Sequence, residues 1–237
     1  MENEQKGSAA IVGIIAILVG AAIGYGIATL TSQSAAENSS TEQKETAMTE
    51  DKAAAVPIID TKAANLRVLI NSLERQHVNL ASAAVRSSFD GKADFKAVAD
   101  SLDFNSVALS NAVGSVYGAD AGAKFLTIWR SHIGFFVDYT VAAKKGDKAG
   151  MDAAVANLGG YADAIADLLS GANPNLPRAA VKSLVLEHVG LLKGAVDAYG
   201  AGDYAKSYAQ QSAADAQIGT IADALSGAIV KQYPEKF

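Results

Sequence analysis

FLTIWRSHIGFFVDYTVAAKKGD (125–147) is the stretch on which the fold turns. Phe125, Trp129, His132, Phe136 and Tyr139 recur in alternating steps of four and three, the spacing of a helix face packed inward. The pattern stops at Gly146, the residue type that most readily closes a helix. His132 is the exception inside the stripe, an imidazole where a hydrocarbon side chain is expected.

The same unit occurs twice more. LERQHVNLA (73–81) and LVLEHVGLL (184–192) place His77 and His188 in equivalent apolar stripes, and these are the other two histidines of the chain. The three histidines are spaced by 55 and 56 residues, and each lies 14 residues before a turn glycine: Gly91, Gly146 and Gly202. Each unit therefore predicts a helical hairpin, with a histidine-bearing first helix, a glycine turn and a second helix of similar length. The predicted repeats span 61–117, 121–171 and 177–232 in a domain running from 58 to 237. Pro174 and Pro177 in ANPNLP divide the last two, since proline starts a helix but does not continue one. The expected fold class is all-α, three tandem hairpins forming a six-helix antiparallel bundle. Hairpins closed around one axis would bring the histidines together, whereas hairpins stacked in a row would hold them roughly 10 Å apart or more.

Counting about the same distance beyond each turn glycine leads to the neighbourhood of Asn105, Tyr161 and Ala216, with Asp215 adjacent on its stripe. A single polar layer follows, made of His77, His132, His188, Asn105, Tyr161 and Asp215. Unpaired, each buried polar group costs about 1–3 kcal/mol, so the layer needs partners. Three kinds are open: the groups hydrogen-bond one another, with a buried water, as core residues; the histidines ligate a transition metal such as Zn, Fe, Mn or Cu, with Asp215 as a fourth ligand and Asn105 and Tyr161 behind it; or two of them hold a haem, with Arg75 or Arg130 at a propionate. The chain has no cysteine, so any metal here takes nitrogen and oxygen ligands.

Sharper catalytic signals are missing. Glu74-x-x-His77 is a solitary half of a ferritin-type di-iron pattern, and neither HExxH nor GxSxG occurs. GADAGAK (118–124) lacks the spacing of a phosphate-binding loop. Histidines on a buried stripe are poorly placed to meet a substrate, so the chain reads as non-enzymatic.

The amino-terminal quarter differs from the rest. After the short segment 1–8, residues 9–30 are uncharged over 22 positions, about 33 Å as a helix, which predicts one membrane-spanning anchor. Its length exceeds the roughly 7–15 apolar residues of a signal peptide. Ala16, Gly20 and Gly24 recur every four positions, a spacing that packs two anchors into a homodimer. Residues 31–57 form an acidic tether rich in Ser, Thr, Glu and Ala. The net charge is −5, and most of it lies in this tether, which leaves the domain near neutral, without the basic face of a nucleic-acid binder.

The 125–147 stretch, LLSGANPNLP (168–177), LEHVGLLKGAVDAYGAGDY (186–204) and IVKQYPEKF (229–237) resemble a family of uncharacterised exported or membrane-anchored bacterial helical proteins. The resemblance covers essentially all of 61–237. It implies a bacterial envelope setting and no reaction. In that family the last helix often carries a further histidine where this chain has SAADAQIG (212–219). The expected role is a single-pass membrane protein, amino terminus cytoplasmic and domain outside, serving as an interaction scaffold around a buried histidine layer. The alternative is a metal- or haem-binding protein of the envelope that uses His77, His132 and His188.

Overall fold

The computed structural model describes residues 59–237, which carry six helices and no strand. They are α1 (Lys62–Asp90), α2 (Phe95–Tyr117), α3 (Ala119–Lys145), α4 (Lys148–Ala172), α5 (Arg178–Gly200) and α6 (Tyr204–Gln232). The three predicted hairpins are present within two residues at nearly every boundary. The apolar segment 9–30, its Ala16/Gly20/Gly24 face and the tether 31–57 lie outside the described residues. No described helix is long and apolar enough to cross a membrane.

Turn chemistry sets the ends. Gly146 and Gly202 take φ of +67° and +77°, where side chains with a Cβ are strained. The following aspartate then caps the next helix: Asp147 accepts from the Gly150 amide and Asp203 from the Lys206 amide, both at 3.0 Å. One Gly-Asp pair thus stops one helix and starts its antiparallel partner. The first turn lacks this pair and is longer, so α2 begins at Phe95, two residues later than the repeat spacing suggests.

Each helix packs along its neighbour in sequence, and α1 packs along α6, so the bundle closes on itself. The histidine-bearing helices α1, α3 and α5 also touch one another. Side-chain pairs lace the closing seam: Arg67 holds Asp223 through two bonds of 2.6 and 2.7 Å, Asn71 donates to the same carboxylate, Arg75 pairs with Asp215, and Arg86 donates to Gln211. At the end opposite the glycine turns, Asn173 is fully buried. It donates to the Tyr117 hydroxyl, which donates to Gln232, which in turn donates to the Ala172 carbonyl. This chain ties the ends of α2, α4 and α6 together.

At Gly122, α3 lies backbone against backbone on α2. Ser110 donates to the Gly122 carbonyl at 2.8 Å, and a Cβ on Gly122 would stand 2.8 Å from the Ser110 carbonyl oxygen and 3.2 Å from the Gly114 Cα. Backbone on both sides leaves nothing flexible to yield. Gly122→Ala is therefore expected to destabilise the domain by about 1–3 kcal/mol, read as a lowered urea midpoint with an unchanged m-value.

Candidate functional site: a buried histidine and glutamate cluster

Helical phase puts the site on the bundle axis. The inward stripe of α1 is Ile70, Glu74, His77 and Val78; that of α3 includes Phe125, Trp129 and His132. His77 and His132 meet through their Nε2 atoms at 3.3 Å, so one ring N–H faces the lone pair of the other. Trp129 packs against both imidazoles, with ring centroids 4.8 Å from His77 and 4.6 Å from His132. Tyr161 of α4 also packs against His132, with centroids 4.6 Å apart, and Phe125 stacks on Trp129 at 5.1 Å.

His188 comes from α5. Gln217 of α6 fixes its tautomer: the amide nitrogen of Gln217 donates to the Leu184 carbonyl at 2.9 Å, which turns the amide oxygen toward His188 Nδ1 at 3.0 Å. Nδ1 must then carry the proton, and Nε2 keeps a bare lone pair with no partner. The first hairpin has a parallel device. Asn105 donates to the Leu73 carbonyl at 2.9 Å, the same four residues before its histidine, and also to Gln76.

The sequence-derived set is therefore brought together in part. His77, His132, His188 and Tyr161 gather around one space, whereas Asn105 spends its donors on Leu73 and Gln76 beside the layer. Asp215 stands apart from the histidines, half-exposed on the α1–α6 seam and paired with Arg75. The reason is phase: Gln217, two positions on, occupies the inward face of α6. Glu74 is the residue that sequence reasoning missed. It is 3 % exposed and has an unpartnered Oε2. Its signal was present, since it lies four residues after Ile70 and three before His77, but a carboxylate in an inward stripe looks like an interruption rather than a member.

Burial controls the charges. It pushes the Glu74 carboxyl up to about 8, which keeps it protonated at neutral pH and makes it a donor. Burial likewise holds His132 down to about 3, His188 down to about 4 and His77 well below 6.5; the hydrogen bond to Gln217 partly opposes the shift of His188, while the neighbouring His132 and His188 add to that of His77. The cluster is neutral. It offers the Trp129 N–H and the Glu74 O–H as donors and His188 Nε2 as an acceptor. Glu74, His77, Trp129, His132 and His188 each keep a buried polar atom without a partner.

These residues line a cavity of about 130 Å³ that runs along the bundle interior, from Phe95, Tyr199 and Ser207 near the glycine turns to Leu176 and Val181 near the other end. Its remaining walls are mainly aliphatic and aromatic. Among the described residues no three His, Asp or Glu side chains form a group that would hold a metal ion. A haem does not fit between His77 and His132, because their nitrogens stand 3.3 Å apart with Trp129 and Tyr161 packed against the rings.

Comparison with protein-family models, curated proteins and solved structures finds no match. The site is therefore interpreted from its own chemistry.

The shifts have opposite consequences for stability. Glu74 holds its proton more tightly when folded, so its contribution is intact below about 4.5 and is lost as pH rises to about 8. The histidines hold theirs less tightly, so their contribution is intact above 6.5 and is lost as pH falls toward about 4 for His188 and about 3 for His132. Melting temperature followed by circular dichroism is expected to peak between roughly pH 6 and 7 and to fall on both sides. Glu74→Gln should abolish the fall on the alkaline side and leave the acid side in place.

Proposed function

We propose that the domain is a non-enzymatic binding module that holds a small, uncharged, largely apolar ligand in its central cavity, anchored by the Glu74/His77/His132/His188 cluster. The carrying observation is the set of unpartnered polar atoms on the wall of an otherwise apolar space. Buried polar groups are normally satisfied, and a concave apolar site with a few convergent polar groups is the usual form of a small-molecule site. An apolar protein cavity of about 150 Å³ holds a benzene-sized guest, so a single ring or a short chain is the matching scale. A charged ligand is disfavoured, since the cluster is neutral and offers no counter-ion.

Trp129 is the single tryptophan of the chain and lines the cavity, so its fluorescence reports occupancy. Phenol and iodobenzene are expected to quench it saturably and to raise the melting temperature, and benzoate is expected to do neither. His188→Phe should weaken phenol by about 1 kcal/mol, one hydrogen bond, and leave iodobenzene unchanged. Failure of every neutral probe to bind would sink the proposal.

One distance favours a second reading. Two nitrogens of a tetrahedral ion with bonds of about 2.0–2.1 Å stand about 3.3–3.4 Å apart, which is the separation of His77 and His132 Nε2. A zinc-class ion on this pair would raise the melting temperature of the protein and not that of His132→Phe. No response to zinc, copper, iron or manganese dismisses it.

The cell-envelope setting rests on the sequence of 9–30 and 31–57, with membrane lipid as the anchor's partner. An alkaline phosphatase fused after Phe237 is expected to be active if the domain lies outside, and inactive if it faces the cytoplasm.

A further inference from the structure

A second apolar space lies against the first. Between α2 and α3, with Ala84 of α1 at its back and on the side of the bundle that carries the glycine turns, a surface crevice of about 230 Å³ is lined by Ala84, Phe95, Ala99, Leu102, Asp103, Arg130, Ile133 and Val137. Ala84, Phe95, Leu102, Ile133 and Val137 also line the central cavity. One layer of side chains therefore separates the two spaces. The other three residues, Ala99, Asp103 and Arg130, belong to the crevice alone.

The helix pair is tied unevenly along its length. Near Gly118, the single residue linking α2 to α3, the backbones are pressed together at Gly122 and Ser110. Toward Phe95 and Val137 they leave the crevice between them. Across this opening stands one ion pair: Arg130 clasps Asp103 through two bonds of 2.7 and 2.8 Å. The pair is about half exposed, so it is a weak tie. The α1–α6 seam is laced by contrast with two ion pairs, Arg67–Asp223 and Arg75–Asp215, and with hydrogen bonds from Asn71 to Asp223, Arg86 to Gln211 and Gln211 to Asn79.

We infer that the α2–α3 crevice is the mouth of the central site, through which an uncharged apolar ligand reaches the histidine and glutamate cluster, with the Arg130–Asp103 pair as the latch across it. This inference rests on the proposed ligand-binding function and adds the route and what the route selects. The mouth walls are hydrocarbon, and the two charges at its rim neutralise each other, so nothing there attracts an ion. A slender ring or chain passes by displacing Phe95, Ile133 and Val137, which form the layer between the two spaces, while the α2–α3 contact at Gly122 stays closed.

Stopped-flow mixing of the domain with iodobenzene, read by Trp129 quenching, gives association and dissociation rates separately. Arg130→Gln and Asp103→Asn should each speed both rates about two- to fivefold, the scale of one exposed ion pair, with Kd unchanged. Ala99→Trp fills the crevice without touching the cavity and should slow both rates about tenfold or more, again at constant Kd. Ala99→Leu serves as a milder plug, expected to slow them less, should the tryptophan not fold. Arg67→Gln breaks an ion pair on the α1–α6 seam and should change neither rate. Unchanged rates in the latch and plug variants, with iodobenzene still bound, overturn the route and leave the binding function standing. Absence of iodobenzene binding to the unaltered protein overturns the binding function, and the route with it.

Discussion

Three hairpins of this length gather their inward stripes into one core only when the first helix meets the last, and the α1–α6 contact is what achieves that here. Without it the hairpins would form a row, each histidine would face a different neighbour, and the bundle would have no common axis. The contact is made by Val78, Ile70, Ile218 and Ala222 within the core and by Arg67, Asn71, Arg75 and Arg86 along its outer edge. The apolar part supplies the driving force, and the exposed ion pairs add register more than energy. Small side chains on α6, among them Ala214, Gly219 and Ala222, let α1 come close enough for its long arginines to cross the seam.

Closure carries a cost that the site makes visible. Bringing α1, α3 and α5 to one axis forces three imidazoles, a carboxyl, an indole N–H and a phenol into one largely apolar region. Their neutral forms are the only ones that region tolerates, which is why acid and bases shift in opposite directions. A neutral cluster can still discriminate: its donors and acceptors are fixed by Gln217, by the His77–His132 pair and by tight aromatic packing, so a guest with matching polarity gains hydrogen bonds that water would otherwise supply.

Packing between α2 and α3 is uneven along the pair. A one-residue link and two glycines compress one end of that pair, and a crevice opens at the other. The same rigidity that fixes the narrow end leaves the wide end dependent on side chains alone, chiefly Phe95, Ile133, Val137 and the Arg130–Asp103 pair.

Hairpin number, turn positions and the inward direction of the histidines were all legible in the sequence, because each depends on spacing within one helix: a stripe at steps of three and four, a glycine able to adopt positive φ, a proline able only to begin a helix. Convergence was not legible, since nothing within a hairpin specifies whether hairpins stack or close. The members of the site were legible only where side-chain type and phase agreed. Tyr161 and the histidines satisfied both; Asp215 had the right chemistry on the wrong side of α6, and Glu74 had the right phase with a chemistry that looks like solvent exposure. A two-residue difference turns a helix position by roughly 200°, so Gln217 and Asp215 face opposite ways. The sequence by itself determined six helices and three inward-facing imidazoles. Only the tertiary structure decided that they share a cavity with a protonated glutamate, because burial and helix-to-helix distance are properties of packing across hairpins far apart in the chain.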